Sequence, residues 1–156
     1  MSFIVSALPV EAFRTLFGRS EAELRARGVE RRVADAAVGF PCRITLEDAP
    51  VGESLLLLNY EHQSASTPYR SSYAIFVRES ASRTASIRGA LPEMVLRRSW
   101  ISVRAFSGEG HLQAAEVSPG AEAQRSVERL LARKGVDYLH LHNAAHGCYL
   151  ARVDRG

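Results

Sequence analysis

The stretch VDYLHLHNAAHGCYLARVDR, residues 136–155, decides how this chain folds. Val136 to Asn143 and Cys148 to Val153 are two strand-like segments, with only a few turn-forming residues between them. So short a connection favours an antiparallel hairpin. Successive side chains of a strand point to opposite faces. Leu139 and Leu141 therefore share one face, and Tyr138, His140 and His142 share the other. The leucines belong to the core. The two histidines become neighbours about 6.6 Å apart, from a rise of about 3.3 Å per residue.

The same periodicity extends along the chain. Trp100 to Phe106 alternates with Ile101, Val103 and Ala105 on one side, and "SGEG" at 107–110 turns it back onto His111 to Val117. Leu55 to Tyr60 is a continuous apolar run and belongs inside a sheet. Tyr73 to Val77 is another strand, and "EHQSASTPYRSS" between them reads as a polar loop. Val29 to Ala34 is strand-like, Cys42, Ile44 and Leu46 alternate as a half-buried strand, and Phe3 to Leu8 opens the chain as a first strand.

Helical signals are few. Pro9 precedes Val10, Phe13, Leu16 and Phe17 at helical spacing, stopped by Gly18. Ser20-x-x-Glu23 is a capping box that starts a second short helix ending near Gly28. Ser118-Pro119 opens a third, with Ala123, Val127, Leu130, Leu131 and Lys134 on one face and Gly135 at its end. The expectation is an α+β fold of one domain over residues 1–156, with a mainly antiparallel sheet of about seven strands and about three short helices.

Composition narrows the function. The chain has 156 residues, 46% hydrophobic and 24% charged, with a net charge of +3. These are the proportions of a globular protein rather than a disordered one. No apolar run is long enough to span a bilayer, and the N-terminus lacks the basic region of a secretory signal, so a cytoplasmic protein is expected. Lys134 is the only lysine, and the arginines are dispersed. No nucleic-acid partner is therefore expected. Cys42 and Cys148 are expected to be free thiols, both on core-facing positions.

Two segments concentrate chemistry. In "LLLLNYEHQSASTPYRSSYAIFVRE", residues 55–79, polar groups gather where apolar strands meet a loop. Arg70 offers a planar fork for a carboxylate or phosphate, with Ser71 and Ser72 as further donors and Asn59 and Tyr69 beside them. Glu61 and His62 can serve as orienter and base. The plain alternative for Arg70 is an ion pair with Glu61 or Glu47. In the hairpin, His140 and Asn143 are candidate ligand-binding groups and His142 a candidate proton carrier. His-x-His on a strand also suits a metal, with His146 as a third nitrogen, but no diagnostic spacing accompanies it. A polar ladder hydrogen-bonded to a neighbouring strand is the structural alternative.

Four blocks, "GFPCRITLEDAPVGE", "LLLLNYEHQSASTPYRSSYAIFVRE", "RAFSGEGHLQAAEV" and "VDYLHLHNAAHGCYLARVDR", together resemble a bacterial domain-of-unknown-function family, number 1203. The resemblance runs from Phe3 to Arg155 and rests on the combination of NYEHQ, YRSS and HNA-x-x-GCY. Tyr73 departs from the family pattern, which has histidine there. The resemblance implies that the blocks act together and carries no activity with it.

Three readings follow. The first is a ligand-binding or metal-independent enzyme domain for a small anionic molecule, with Glu61, His62 and His142 as catalytic residues. Asn59, Tyr69, Arg70, Ser71, Ser72, His140 and Asn143 would be its binding residues. The second is a homodimeric interaction module built on Tyr60, Tyr69, Tyr73, Trp100, Tyr138 and Tyr149. The third is a mononuclear metal hydrolase using His140 and His142 with His62, His146 or Glu61. The cofactor is unknown from the sequence, and the third reading alone calls for a metal ion.

Overall fold

The structure is a computed structural model that describes residues 2–156. Eleven strands form two sheets among the described residues. The larger sheet contains β1 (Phe3–Ser6), β7 (Ser86–Arg88), β8 (Ile101–Phe106), β9 (Leu112–Ser118), β10 (Tyr138–Asn143) and β11 (Tyr149–Arg155). Its spatial order is β7-β1-β11-β10-β8-β9, antiparallel throughout. The smaller sheet contains β2 (Glu30–Val33), β3 (Pro41–Cys42), β4 (Glu47–Asp48), β5 (Ser54–Gln63) and β6 (Ser71–Arg78), in the order β2-β5-β6-β3-β4. Only β3 and β6 pair in parallel.

The fold is thus α+β with few helices, but the expected seven strands in one sheet become eleven in two. Part of the difference lies in residues 79–100, where no periodic signal marks β7 or the short helix α2 (Glu93–Leu96). The alternation of Cys42, Ile44 and Leu46 is also not a strand. Only Pro41 and Cys42 pair, and the chain then turns tightly through Leu46, which takes φ 57°. All three side chains are buried because the turn folds inward.

Each sheet has its own apolar cluster. The long helix α3 (Ala123–Leu131) lays Ala123, Val127, Leu130 and Leu131 against the odd-numbered face of β8 and β10. Leu139 and Leu141 are buried there, as the period-two reading predicts. The other face of β10 turns toward the smaller sheet. That sheet contributes Leu56, Leu58, Tyr60, Ile75 and Val77 to the second cluster, where they meet Phe13, Leu24 and Tyr149. The Ser20–Glu23 capping box is present and starts α1 (Glu21–Arg25), while Val10–Ala12 and Arg14–Leu16 are 3₁₀ turns. Among the described residues no helix is long and apolar enough to cross a membrane.

Candidate functional site

Strands from both sheets converge on three histidines. His140 and His142 rise from β10 on the face opposite the leucines, with ring centroids 6.3 Å apart. His62, near the end of β5, reaches them from the smaller sheet. Its ring centroid is 5.0 Å from that of His142 and 6.3 Å from that of His140. Both ends of the segment expected as a loop are strand, since β5 continues through Gln63 and β6 begins at Ser71, and residues 64–70 remain the turn.

Two β-bulges make the convergence. On β5 the register slips between Tyr60 and Gln63, which pair with Tyr73 and Ser71. The extra residue breaks the alternation, so His62 and Gln63 both line the same cavity. Gln63 Nε2 donates to the Tyr138 hydroxyl at 3.0 Å and ties the sheets together. On β11 the partners of Leu141 and His142 are Ala151 and Tyr149, leaving Leu150 extra. Tyr149 thereby joins the histidine face. It stacks on His62 at 5.4 Å and 15°, and meets His140 edge-on at 5.1 Å.

The cavity has a volume of about 220 Å³. Besides the three histidines and Gln63, it is walled by Tyr69, Ser71, Arg104, Phe106, Leu112 and Ala115. Arg104 projects from β8 directly opposite His140. Its Nε donates to Ser102 Oγ at 3.1 Å, and it forms no ion pair with a carboxylate among the described residues. Arg152 flanks His140 from β11, but its charge is matched by a two-pronged contact with Asp154.

Electrostatics follow from this placement. Burial pushes His140 and His142 down to about 3, and neighbouring positive or titrating groups add to the shift. For His140 those neighbours are His142, His62, Arg152 and Arg104. His62 is lowered too, first by burial and then by Arg104. Arg104 is itself lowered by burial. At neutral pH the cavity therefore holds neutral imidazoles beside one unmatched cation. His142 Nδ1 lies 2.9 Å from the Gly147 carbonyl, which only accepts, so Nδ1 carries the proton and Nε2 presents a lone pair. His62 Nε2 lies 3.3 Å from Ser71 Oγ. The Nδ1 atom of His140 is buried without a hydrogen-bond partner among the described residues.

The expected site residues divide. His62, Tyr69, Ser71, His140 and His142 come together in the cavity. Glu61 and Arg70 do not: they pair with each other at 2.9 Å on the exposed surface. Asn59 and Ser72 are exposed and line no part of it. Asn143 accepts the backbone N–H groups of Ala145 and His146 and so shapes the hairpin turn. With His146 it opens onto a different cavity, away from His140 and His142. Among the described residues no group of three or more His, Cys, Asp or Glu side chains is arranged to hold a metal ion.

Sequence reasoning missed Arg104, although a signal existed. The alternation that sends Ile101, Val103 and Ala105 to the core sends Ser102, Arg104 and Phe106 to the opposite face. An arginine amid an apolar strand on that face needs a partner.

No curated protein and no solved structure matches the chain. Residues 39–155 match the family described as Protein of unknown function (DUF1203), a shorter span than the resemblance from Phe3 suggests. The match covers both bulged strands and every histidine of the cavity, and the chain belongs to that family.

Proposed function

We propose that the chain binds a small anionic molecule, of the carboxylate or phosphate class, in the cavity between its two sheets. The observation that carries this reading is Arg104, a partly buried guanidinium with no carboxylate partner, facing three histidines. Taking a cation from water costs several kcal/mol in a low-dielectric site unless an opposite charge meets it. An anionic ligand supplies that charge. The neutral imidazoles ask for something else, since the Nε2 lone pair of His142 needs a donor. A ligand with an anionic oxygen beside a hydroxyl, such as a hydroxy acid or a hydrogen phosphate, satisfies both.

The volume favours a small molecule. About 220 Å³ falls below the roughly 300–1,000 Å³ typical of drug-sized ligands. His62 is the group placed to exchange a proton with the ligand. It is the least enclosed of the three histidines, and the exposed Ser71 hydroxyl stands at its Nε2. Burial first and Arg104 second hold His62 neutral; an anion beside Arg104 offsets the second of these, so binding draws a proton toward His62.

The test is a titration of histidine ring signals by NMR with inorganic phosphate and, separately, with a small hydroxy acid. Saturable shifts at His62, His140 and His142 that vanish in Arg104→Gln support the site. No shift with either probe, or shifts indifferent to Arg104→Gln, overturn it.

A further inference from the structure

A second cavity of about 290 Å³ lies on the other side of the hairpin turn and shares no residue with the histidine cavity. Its wall contains Arg43, Arg98, Asn143, His146 and the Cys148 thiol, and among the described residues no carboxylate lines it. We propose that this cavity is an anion-binding site with a nucleophilic thiol, in which Arg43 and Arg98 hold an anionic electrophile against Cys148.

Arg43 is the anchor. It is 1% exposed, the largest of the fully buried side chains, yet no carboxylate bonds it. Nε donates to the Tyr149 carbonyl at 2.8 Å and Nη1 to the Pro41 carbonyl at 2.7 Å. The side chain that hydrogen-bonds this guanidinium is the Cys148 thiol. Two carbonyls fix the direction of the guanidinium without cancelling its charge. Burial lowers its proton affinity most, the Cys148 sulfur supports the charged form, and Arg98 repels it.

Arg98 adds an unmet donor. Its Nε donates to the Met94 carbonyl, while Nη2 is buried without a hydrogen bond, with Asp48 Oδ1 at 3.6 Å. Asp48 pairs with Arg98, so two guanidiniums at one cavity meet one carboxylate between them and leave positive charge for an anion. The thiol arrives there through the same bulge that turns Tyr149. Cys148 sits just before β11, partly exposed, rather than on the core face that simple alternation assigns to it. Cys42, by contrast, is fully buried, and its sulfur accepts the backbone N–H groups of Thr45 and Arg78.

Iodoacetate reacts with such a thiol by direct substitution. The thiol proton passes to water, the sulfur attacks the methylene carbon, the S–C bond forms, and iodide leaves with the C–I electron pair. The negative charge of iodoacetate hinders attack by an ordinary thiolate. Beside Arg43 and Arg98 it becomes a handle.

Intact-protein mass spectrometry would give the alkylation rates with iodoacetate and with neutral iodoacetamide, using Cys148→Ser to assign the modified thiol. The expected rate ratio of iodoacetate to iodoacetamide exceeds that of glutathione by about tenfold, as one charge-assisted contact supplies. Arg98→Gln should remove the excess, and millimolar inorganic phosphate should slow the iodoacetate reaction. Arg43→Gln removes two backbone hydrogen bonds and can unfold the chain, so Arg98→Gln and phosphate protection on the unaltered protein carry the test. A ratio equal to that of glutathione, a Cys148 inert to both reagents, or an excess untouched by Arg98→Gln and phosphate each overturns the proposal. Failure of the histidine cavity to bind phosphate would leave this result unaffected, because the NMR readout and the alkylation readout belong to different cavities.

Discussion

His62 and Tyr149 stack face to face, with ring centroids 5.4 Å apart and planes inclined by 15°. The two residues belong to different sheets, and each lies beside a β-bulge of its own pairing. The contact brings the smaller sheet's histidine against the two on β10. Tyr149 is 3% exposed, and burial raises its phenol well above the ordinary tyrosine value, so at neutral pH it is an uncharged platform.

Arg104 and Arg70 should separate cleanly in binding. Arg104→Gln is expected to weaken inorganic phosphate binding tenfold or more, equivalent to about 1.5–3 kcal/mol for a hydrogen bond to a charged group. Arg70→Ala should leave affinity unchanged and alter stability by only about 0–1 kcal/mol, since its pair with Glu61 is exposed. Phosphate titrations read from the ring signals of His62, His140 and His142 in both variants check this, since those rings line the histidine cavity alone. A larger loss from Arg70→Ala would return the anion site to the β5–β6 loop.

Stability should fall on mild acidification before any carboxylate is protonated. His140 and His142 sit at about 3 in the folded chain against 6.5 ordinarily. Between these values the unfolded chain binds the extra protons, so no penalty exists above about pH 6.5. The penalty then grows as pH falls toward 3. Each histidine contributes a slope of up to ~1.4 kcal/mol per pH unit. Burial above all holds them neutral, and Arg104 on β8, Arg152 on β11, Arg43 beside the turn and His62 on β5 add to it. Urea midpoints at pH 7.5, 6 and 5 should decline in that order, and a flat profile would contradict the placement of both rings.

Glu79, a largely buried carboxylate, should be among the costliest to neutralise. It accepts from Arg31 Nε at 2.6 Å, Ser54 Oγ at 2.6 Å and the Gly18 N–H at 2.9 Å. The Arg31 bond above all holds it at about 2. Its stabilisation is present above the ordinary carboxylate value of 4.5 and is lost as pH falls toward 2. Glu79→Gln should cost about 2–3 kcal/mol at pH 7 and near nothing at pH 2, read from denaturation at both values.

Gly110 holds the cavity rim in place. It adopts φ 89°, a left-handed conformation, and a Cβ there would collide with the Ala65 methyl. Thr67 Oγ1 donates to its carbonyl at 3.0 Å, which ties down the 64–70 turn that carries Tyr69. Gly110→Ala should lower the melting temperature by several degrees, for a loss of about 1–3 kcal/mol, and weaken phosphate binding with it. Intact binding at reduced stability would separate the turn from the site.

Much of this was written in local pattern. The sequence by itself determined the 136–155 hairpin, because period-two alternation and a short turn leave one antiparallel solution. It also determined that Leu139 and Leu141 face the core while His140 and His142 share the other face, and it encoded the capping box of α1 and the burial of Cys42. Alternation reports only the side of a residue's own strand. Which strand of the other sheet lies opposite is set by long-range packing, and a bulge reverses the count without changing composition. Tertiary structure alone therefore brought His62 to His140 and His142. It also placed Arg104 rather than Arg70 beside them, because Arg70 found Glu61 at the surface while Arg104, on an inward face, found no carboxylate. The bulge at Leu150 likewise moved Tyr149 to the histidines and Cys148 to the arginine cavity, an outcome of pairing register that no single-strand period contains.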